Sequence, residues 1–217
     1  MLAGVATEAG GGNRRGRRSK EEVLDAAARV MAQRGYAGTS ISAITAESGV
    51  PVSAIYHHFR SKGGVLSAVL ERGARDYFAA MRAAHAEPPA GGTHRERLAW
   101  FMERTAEVFA ANPGFLRLHL QLLLSDEAAD AEVAEMNRQV REEGRAYMRH
   151  MISTAFADQG TAVADAVAQR LDYFAIAAFD GSFVNFQAEA ERTVASQMDV
   201  LIDAMVAVGE AVVAQRS

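Results

Sequence analysis

Apolar residues recur every three or four positions through almost the whole chain, and this helical spacing limits the fold more than any other feature of the sequence. No run of alternating apolar and polar residues stands between turn signals, so the sequence predicts no strand. Only four prolines occur among the 217 residues, and proline is the residue that most strongly breaks a helix. We therefore predict an all-α protein, long enough to bury a substantial core.

A stretch rich in glycine and arginine precedes the first strong helical pattern. Residues 10–18 read GGGNRRGRR and contain no apolar side chain that could anchor them to a core. Ser19 and Glu22 have the spacing of a capping box, which predicts that the first helix begins there, and Gly35 predicts its end. Residues 1–18 are therefore expected to form a disordered basic arm.

Two shorter helical patterns follow. A helix capped at Thr39-Ser40 is expected to end at Gly49, and another is expected from about Pro51 to Phe59, because proline is tolerated in a first turn. Two short helices joined at a glycine have the layout of a helix-turn-helix, whose second helix lies in the major groove of DNA.

The second helix of this pair is expected to turn polar and aromatic side chains outward. Helical spacing places Val52, Ser53, Tyr56 and His57 on the side away from the core. Tyrosine hydroxyls and imidazole N–H groups can donate to phosphate oxygens, whereas serine and valine can touch base edges and thymine methyl groups.

Longer helical patterns fill the rest of the chain. Ser61 caps a helix that is expected to extend to about Ala84, and Gly63-Gly64 predict a hinge in its first turn because glycine weakens a helix. Further helices are predicted over residues 93–111, 115–124, 130–157, 161–188 and 192–213.

Charge is distributed unevenly between the two ends of the chain. The net charge is −4, but residues 1–75 carry 11 Lys and Arg against six Asp and Glu, which leaves −9 on the remainder. A basic N-terminal part suits a polyanion such as DNA, although chance clustering would give the same numbers.

Composition excludes several classes of site. The sequence contains no cysteine, which rules out disulfides, thiolate catalysis and cysteine-bearing zinc sites. His57 and His58 lie about 100° apart on a helix, with no acidic residue at ligand spacing, so no metal site is predicted. No phosphate-binding loop or nucleophile motif is found, and no apolar run approaches the roughly 18 residues that span a bilayer. We expect a cytoplasmic protein that is not an enzyme and has no cofactor or membrane contact.

Several short motifs follow one another between residues 35 and 66. They are Gly35-Tyr36, Thr39-Ser40, Ile44, Gly49-Val50, Tyr56, His57-His58-Phe59 and Lys62. This pattern resembles the DNA-binding signature of TetR-type bacterial transcriptional regulators over roughly residues 19–70, and the remainder resembles them in length, helix number and Asp180-Gly181. The resemblance implies a helix-turn-helix DNA-binding domain over residues 19–65 and a helical ligand-binding and dimerisation domain over residues 66–217.

The resemblance also implies which side chains meet double-stranded DNA. Those on the two short helices are Ser40, Ser42, Val52, Ser53, Tyr56 and His57. Lys62 would meet a phosphate at the start of the next helix, where free N–H groups and the helix dipole favour an anion. The arm is expected to attract phosphates or to enter the minor groove through Arg14, Arg15, Arg17 and Arg18.

Two groups of residues in the long helices are more apolar than a thin bundle requires. The group expected to hold a small apolar effector is Phe78, Met81, Trp100, Phe101, Phe115, His119, Leu122, Asn137, Tyr147, Met151 and Phe174. The group expected at a dimer interface is Leu171, Ala178, Phe179, Gly181, Met198, Leu201 and Met205. Packing within one subunit is the alternative for both groups, and part of the second group must pack inside the subunit. His119, Asn137 and Tyr147 interrupt apolar faces and are the expected polar anchors of the effector.

The predicted function is a dimeric repressor that binds a palindromic operator and is released by a small apolar effector. A sequence-indifferent nucleoid protein is the main alternative. An all-α enzyme, with an acid-base pair such as His119 and Glu103 or Asp126, is a weaker one because no catalytic motif accompanies it.

Overall fold

The computed structural model describes residues 9–35, 37–125, 130–188 and 194–216, so Tyr36, Asp126 and the first eight residues of the expected arm lie outside the described residues. All regular structure in these ranges is helical, which confirms the predicted fold class. The helices are α1 (Ala9–Arg34), α2 (Ile41–Ser48), α3 (Val52–Phe59), α4 (Lys62–Ala84), α5 (His94–Ala111), α6 (Pro113–Leu123), α7 (Ala131–Ala155), α8 (Thr161–Ala188) and α9 (Val194–Arg216). A 3-10 turn covers Ala157–Gln159.

The bounds of the two short helices follow local signals in the sequence. Ser40 caps α2, because its Oγ accepts a hydrogen bond from the backbone N–H of Ala43 at 3.1 Å. Gly49 ends α2 with a φ of 70°, a left-handed conformation that glycine adopts without strain. Thr39 does not share the cap, since it is buried and its hydroxyl donates to the carbonyl oxygen of Gly35 at 2.7 Å.

α1 begins at Ala9, so the prediction of a disordered arm is wrong for residues 9–18. Ser19 lies inside the helix, and Glu22 pairs with Arg18 one turn earlier, with 2.9 Å between Oε1 and Nε, instead of closing a capping box. Arginine is a good helix former, and no proline interrupts the stretch. The helix therefore continues beyond the point at which apolar periodicity begins.

The chain divides into two compact units. The first contains the described residues up to Gly73 and those of residues 117–137, and the second contains those of residues 74–116 and 138–216. The division falls within α4, α6 and α7, and it differs from the expected boundary at residue 66 because residues 117–137 join the N-terminal helices. The assignment of functions to residues 19–65 and 66–217 stays a prediction.

In the first unit, α1 packs against α2 and α3. Val30 of α1, Ile44 of α2 and Ile55 of α3 are buried in its core, and each buried side chain of this size contributes about 1.5–3 kcal/mol. Arg72 of α4 lies 2.8 Å from the carboxylate of Asp25 on α1. Apolar burial and this ion pair hold the start of α4 on the three N-terminal helices.

In the second unit, α9 packs against both α5 and α8. Phe101 on α5, Leu171 on α8 and Met205 on α9 are almost fully buried. Thr93 and Glu96 form a complete capping box at the start of α5, which fixes where this helix begins. No helix in the described part of the chain is long and apolar enough to cross a membrane.

Candidate nucleic-acid interface

The outward face of α3 carries the four side chains expected there. Val52, Ser53, Tyr56 and His57 are exposed, whereas Ile55 on the opposite side of the helix is fully buried. The predicted orientation of α3 is therefore confirmed, and contact of these side chains with DNA stays a prediction. Together they offer hydroxyl and imidazole donors beside an apolar methyl surface, which is the chemistry that reads base edges and phosphates.

Ser40 and Ser42 form a linked pair of hydroxyl groups at the exposed start of α2. Their Oγ atoms lie 2.8 Å apart, and the Ser40 Oγ also accepts the backbone N–H of the helix cap. One of the two hydroxyl protons makes the bond between them, so the other stays available to an acceptor outside. A DNA phosphate oxygen is an acceptor of the required kind.

The four arginines of the expected arm lie on the first turns of α1. Arg14, Arg15, Arg17 and Arg18 are all exposed, and at 100° per residue they span about 160° of the helix circumference. A Cβ placed on Gly16, in the middle of this segment, would lie 4.0 Å from Cε1 of His58. The structure thus brings the basic segment of α1 beside the C-terminal end of α3.

The first turn of α4 is closely packed, which gives Gly63 and Gly64 a reason other than the expected hinge. A Cβ on Gly64 would lie 2.0 Å from the carbonyl oxygen of Phe59, and one on Gly63 would lie 2.7 Å from Oδ2 of Asp130. Gly64 is therefore needed for close approach to backbone, whereas a Cβ on Gly63 would meet only the end of a side chain. Lys62 is half-buried at this turn, and its phosphate contact stays a prediction.

The residues expected to hold an effector are divided between the two units. His119, Leu122 and Asn137 belong to the first unit and are buried. In the second unit the buried or half-buried members are Phe78, Met81, Trp100, Phe101, Phe115, Tyr147 and Met151. Phe174 is exposed in the single chain, which places it with the surface of α8 instead.

His85, which was not among the expected effector residues, lies at the centre of the aromatic members in the second unit. Its ring centroid is 5.1 Å from that of Phe101, 5.7 Å from that of Tyr147 and 5.9 Å from that of Trp100. It lies one residue past the end of α4 and seven residues after Phe78, in line with the buried stripe of that helix, and this spacing is the signal that could have found it.

The hydrogen bonds of His85 fix which nitrogen carries the proton. Nε2 lies 3.1 Å from the backbone oxygen of Phe101, which can only accept, so Nε2 is protonated. Nδ1 then accepts from the hydroxyl of Tyr147 at 2.9 Å. Burial lowers the pKa of His85, which the bond to Phe101 opposes and the charges of Arg104 and His150 reinforce. The second unit thus contains a neutral, hydrogen-bonded imidazole surrounded by aromatic rings.

Five residues expected at a dimer interface are buried within the single chain. They are Leu171, Phe179, Met198, Leu201 and Met205. α8 and α9 bury these side chains within their own subunit, and their contact with a second subunit stays a prediction. Gly181 is exposed and Ala178 half-buried. Among the described side chains of the two helices, the exposed large apolar ones are Tyr173, Phe174, Val184, Val200 and Val208. Phe174 and Val208 also belong to the apolar faces that the sequence predicts at the interface.

The family model described as bacterial regulatory proteins, tetR family, matches residues 23–69. This segment is a TetR-family DNA-binding domain. The match includes all of α2 and α3, so the outward side chains of α3 lie on the second helix of a TetR-type helix-turn-helix. No curated protein sequence gives a significant match to the chain.

Solved structures of TetR-type and other regulators share the fold over most of the chain. A candidate TetR-family regulator from Mesorhizobium loti has a TM-score of 0.68 at 18% identity, covering 89% of this chain and 98% of its own. FadR from Bacillus subtilis, in complex with stearoyl-CoA, has a TM-score of 0.63 at 16% identity, covering 86% of this chain and 97% of its own. A candidate regulator from Saccharomonospora viridis, in complex with choline, has a TM-score of 0.64 at 22% identity, covering 88% of this chain and 96% of its own.

No three His, Asp or Glu side chains in the described part of the chain lie close enough together to hold a metal ion.

Acid is expected to destabilise the second unit through His85. Because its folded pKa lies below the unfolded value of about 6.5, the unfolded chain binds the proton more readily, and stability falls as the pH drops below that value. The slope for one proton approaches about 1.4 kcal/mol per pH unit. Urea unfolding between pH 5 and pH 8 should show this loss in the native chain and a flatter profile in His85→Gln.

His57→Gln is the matched control, because His57 is exposed and belongs to the first unit. It should keep the native pH profile. An equally steep acid loss in His85→Gln would assign the titration to another group.

Proposed function

We propose that this chain is a transcriptional repressor of the cytoplasm that binds a palindromic DNA operator as a homodimer and is released by a small, largely apolar effector. The observation that carries the proposal is the outward face of α3, where Val52, Ser53, Tyr56 and His57 are exposed while the opposite face is buried. The second helix of a helix-turn-helix presents such side chains to base edges in the major groove.

The position of the arginines supports the same DNA-binding face. The segment around Gly16 runs beside His58, so the positive charge of α1 lies next to α3. Arginine contacts to phosphates add affinity that is independent of sequence and falls with salt. We therefore assign the arginines to positioning and the α3 side chains to base preference.

The exposed apolar faces of α8 and α9 support a homodimer. Phe174 is 46% exposed and Val200 is 70% exposed, and Gly181 adds a position that a second helix can approach closely. Tyr173 is also exposed, yet Arg145 holds it, stacking 3.8 Å from the ring centroid and donating to the hydroxyl at 2.9 Å. We assign these faces to a two-fold interface in which two subunits form a four-helix bundle.

The aromatic cluster around His85 supports an effector site in the second unit. Its rings surround a small number of fixed polar atoms, as in most small-molecule sites. The Tyr147 hydroxyl donates to His85, so its lone pairs remain available to a donor on a ligand. Two proteins of the same fold are complexes with stearoyl-CoA and choline, which supports a small-molecule effector here.

The test of this proposal separates base preference from general attraction. Replacing Arg14, Arg15, Arg17 and Arg18 together by glutamine should weaken binding to every duplex and reduce the salt slope by about one for each phosphate that is no longer neutralised. Glutamine keeps the helix propensity of α1. Val52→Ala should instead change base preference at a few positions, with the salt slope unchanged. Fluorescence anisotropy on selected and random duplexes at several salt concentrations measures both effects.

The alternative of a sequence-indifferent nucleoid protein predicts the reverse outcome. In that case the native chain would bind selected and random duplexes equally, and Val52→Ala would be silent. Either result would remove the assignment of α3 to base recognition.

A further inference from the structure

Asn137 on α7 is a buried amide that makes no hydrogen bond in the structure. Its side chain is only 3% exposed, and both Nδ2 and Oδ1 are buried without a partner. Val133 and Val140, four residues before and three after it, lie on the same face of the helix and are buried too. A group with two donors and one acceptor thus stands on an apolar helix face.

Two other polar side chains of the helices show how such a group can be satisfied locally. The Nδ2 of Asn112 donates to the carbonyl oxygen of Val108 at 2.9 Å, and the hydroxyl of Ser182 donates to that of Ala178 at 2.8 Å. Both bonds run to the residue four positions earlier, a route that is equally open to Asn137 on α7. Asn137 makes no such bond to its own helix. A buried amide left in that state destabilises the chain unless something outside the chain completes its hydrogen bonds.

We propose that Asn137 is a binding residue of the first unit that pairs with a neutral carboxamide or lactam on an otherwise apolar molecule. An amide presents a carbonyl acceptor beside an N–H donor, which complements the Nδ2 donor and Oδ1 acceptor of Asn137 in one planar contact. An ester or a dialkylamide offers an acceptor alone and leaves Oδ1 unsatisfied. A charged group is disfavoured because the flanking buried positions are valines, which cannot stabilise it.

This inference rests on the proposed function for its biological role, but binding is measured without DNA. Nonanamide, N,N-dimethylnonanamide and methyl nonanoate share an acyl chain and differ in hydrogen-bond donors. Calorimetric titration of the full chain should show nonanamide binding at least tenfold more tightly than the other two. Asn137→Leu should reduce that preference to below threefold, and Asn112→Ala, whose amide is satisfied within the chain, should keep it.

Stability without any probe gives an independent readout. Asn137→Leu should keep or raise the melting temperature, because an amide without a partner does not stabilise the fold. A fall of about 2–4 °C or more would mean that the amide is already satisfied, by a buried water for example, and would overturn the proposal. Equal affinity for the three probes, no binding of nonanamide, or an unchanged preference in Asn137→Leu would overturn it as well.

Operator binding is measured in parallel on the same samples. Amide-selective binding at Asn137 that leaves DNA affinity unchanged would support the site and count against the proposed release mechanism. Intact, sequence-specific DNA binding by a chain that has no amide preference would count against the site alone.

Discussion

Replacing Gly64 by alanine is expected to lower the free energy of unfolding by about 3 kcal/mol or more, because the new methyl group has no room. Its Cβ would lie 2.0 Å from the carbonyl oxygen of Phe59, a backbone atom that cannot rotate away. Relief requires that the end of α3 move relative to the start of α4. We therefore expect specific DNA binding to be lost together with stability, as measured by urea unfolding and by anisotropy on the selected duplex.

Two other glycine-to-alanine substitutions provide controls for this effect. Gly63→Ala places its Cβ 2.7 Å from the carboxylate of Asp130, a side chain that can turn aside, so its cost should be smaller. Gly114→Ala in α6 meets nothing within 4 Å and should be neutral or slightly stabilising. If Gly64→Ala unfolded at the same urea concentration as Gly114→Ala, the close approach of α3 to α4 would be refuted.

The combined substitution of Phe174 and Val200 by glutamate is expected to give folded monomers whose operator affinity falls about a thousandfold. Both side chains are exposed in the single chain, so charge there leaves the subunit core intact. In a dimer the same charges would be buried in an apolar contact, which is strongly unfavourable. A monomer retains one DNA-binding domain and loses the contacts of the second one, whose sum separates specific from non-specific binding.

Sedimentation velocity and anisotropy measure the two parts of this prediction. Leu124→Glu is the matched control, because Leu124 is 87% exposed but lies outside α8 and α9. It should remain dimeric with native operator affinity. Dimers that bind the operator normally despite both glutamates would refute the proposed interface.

Features set by short-range chemistry could be predicted from the sequence. The bounds of α2 follow from Ser40 and Gly49, and the outward face of α3 follows from the helical spacing of its residues. The TetR resemblance was correctly assigned because it rests on this same short region, where sequence determines local conformation directly.

Features set by long-range packing could not be predicted. Helical spacing identifies an apolar face but not what covers it, so Leu171 and Met205 could not be separated from Phe174 and Val200. Helix propensity marks Gly64 only as a weak point of α4. In the structure a side chain at this position would collide with the carbonyl oxygen of Phe59 at the end of α3, which the sequence does not reveal. The extension of α1 before Ser19 was missed for a different, local reason: the capping motif suggested a start at Ser19, whereas the preceding stretch contains arginines, which are good helix formers, and no proline.

Selection of duplexes from a random pool, followed by sequencing, tests the proposed recognition of a palindromic operator most directly. We expect an inverted repeat whose half-sites lie about 34 Å apart or slightly more, one for each α3 of a homodimer. We also expect Val52→Ala to select altered bases at symmetric positions in both half-sites. Recovery of an asymmetric site, or of no preferred sequence at all, would contradict the proposal that a homodimer reads the operator through α3.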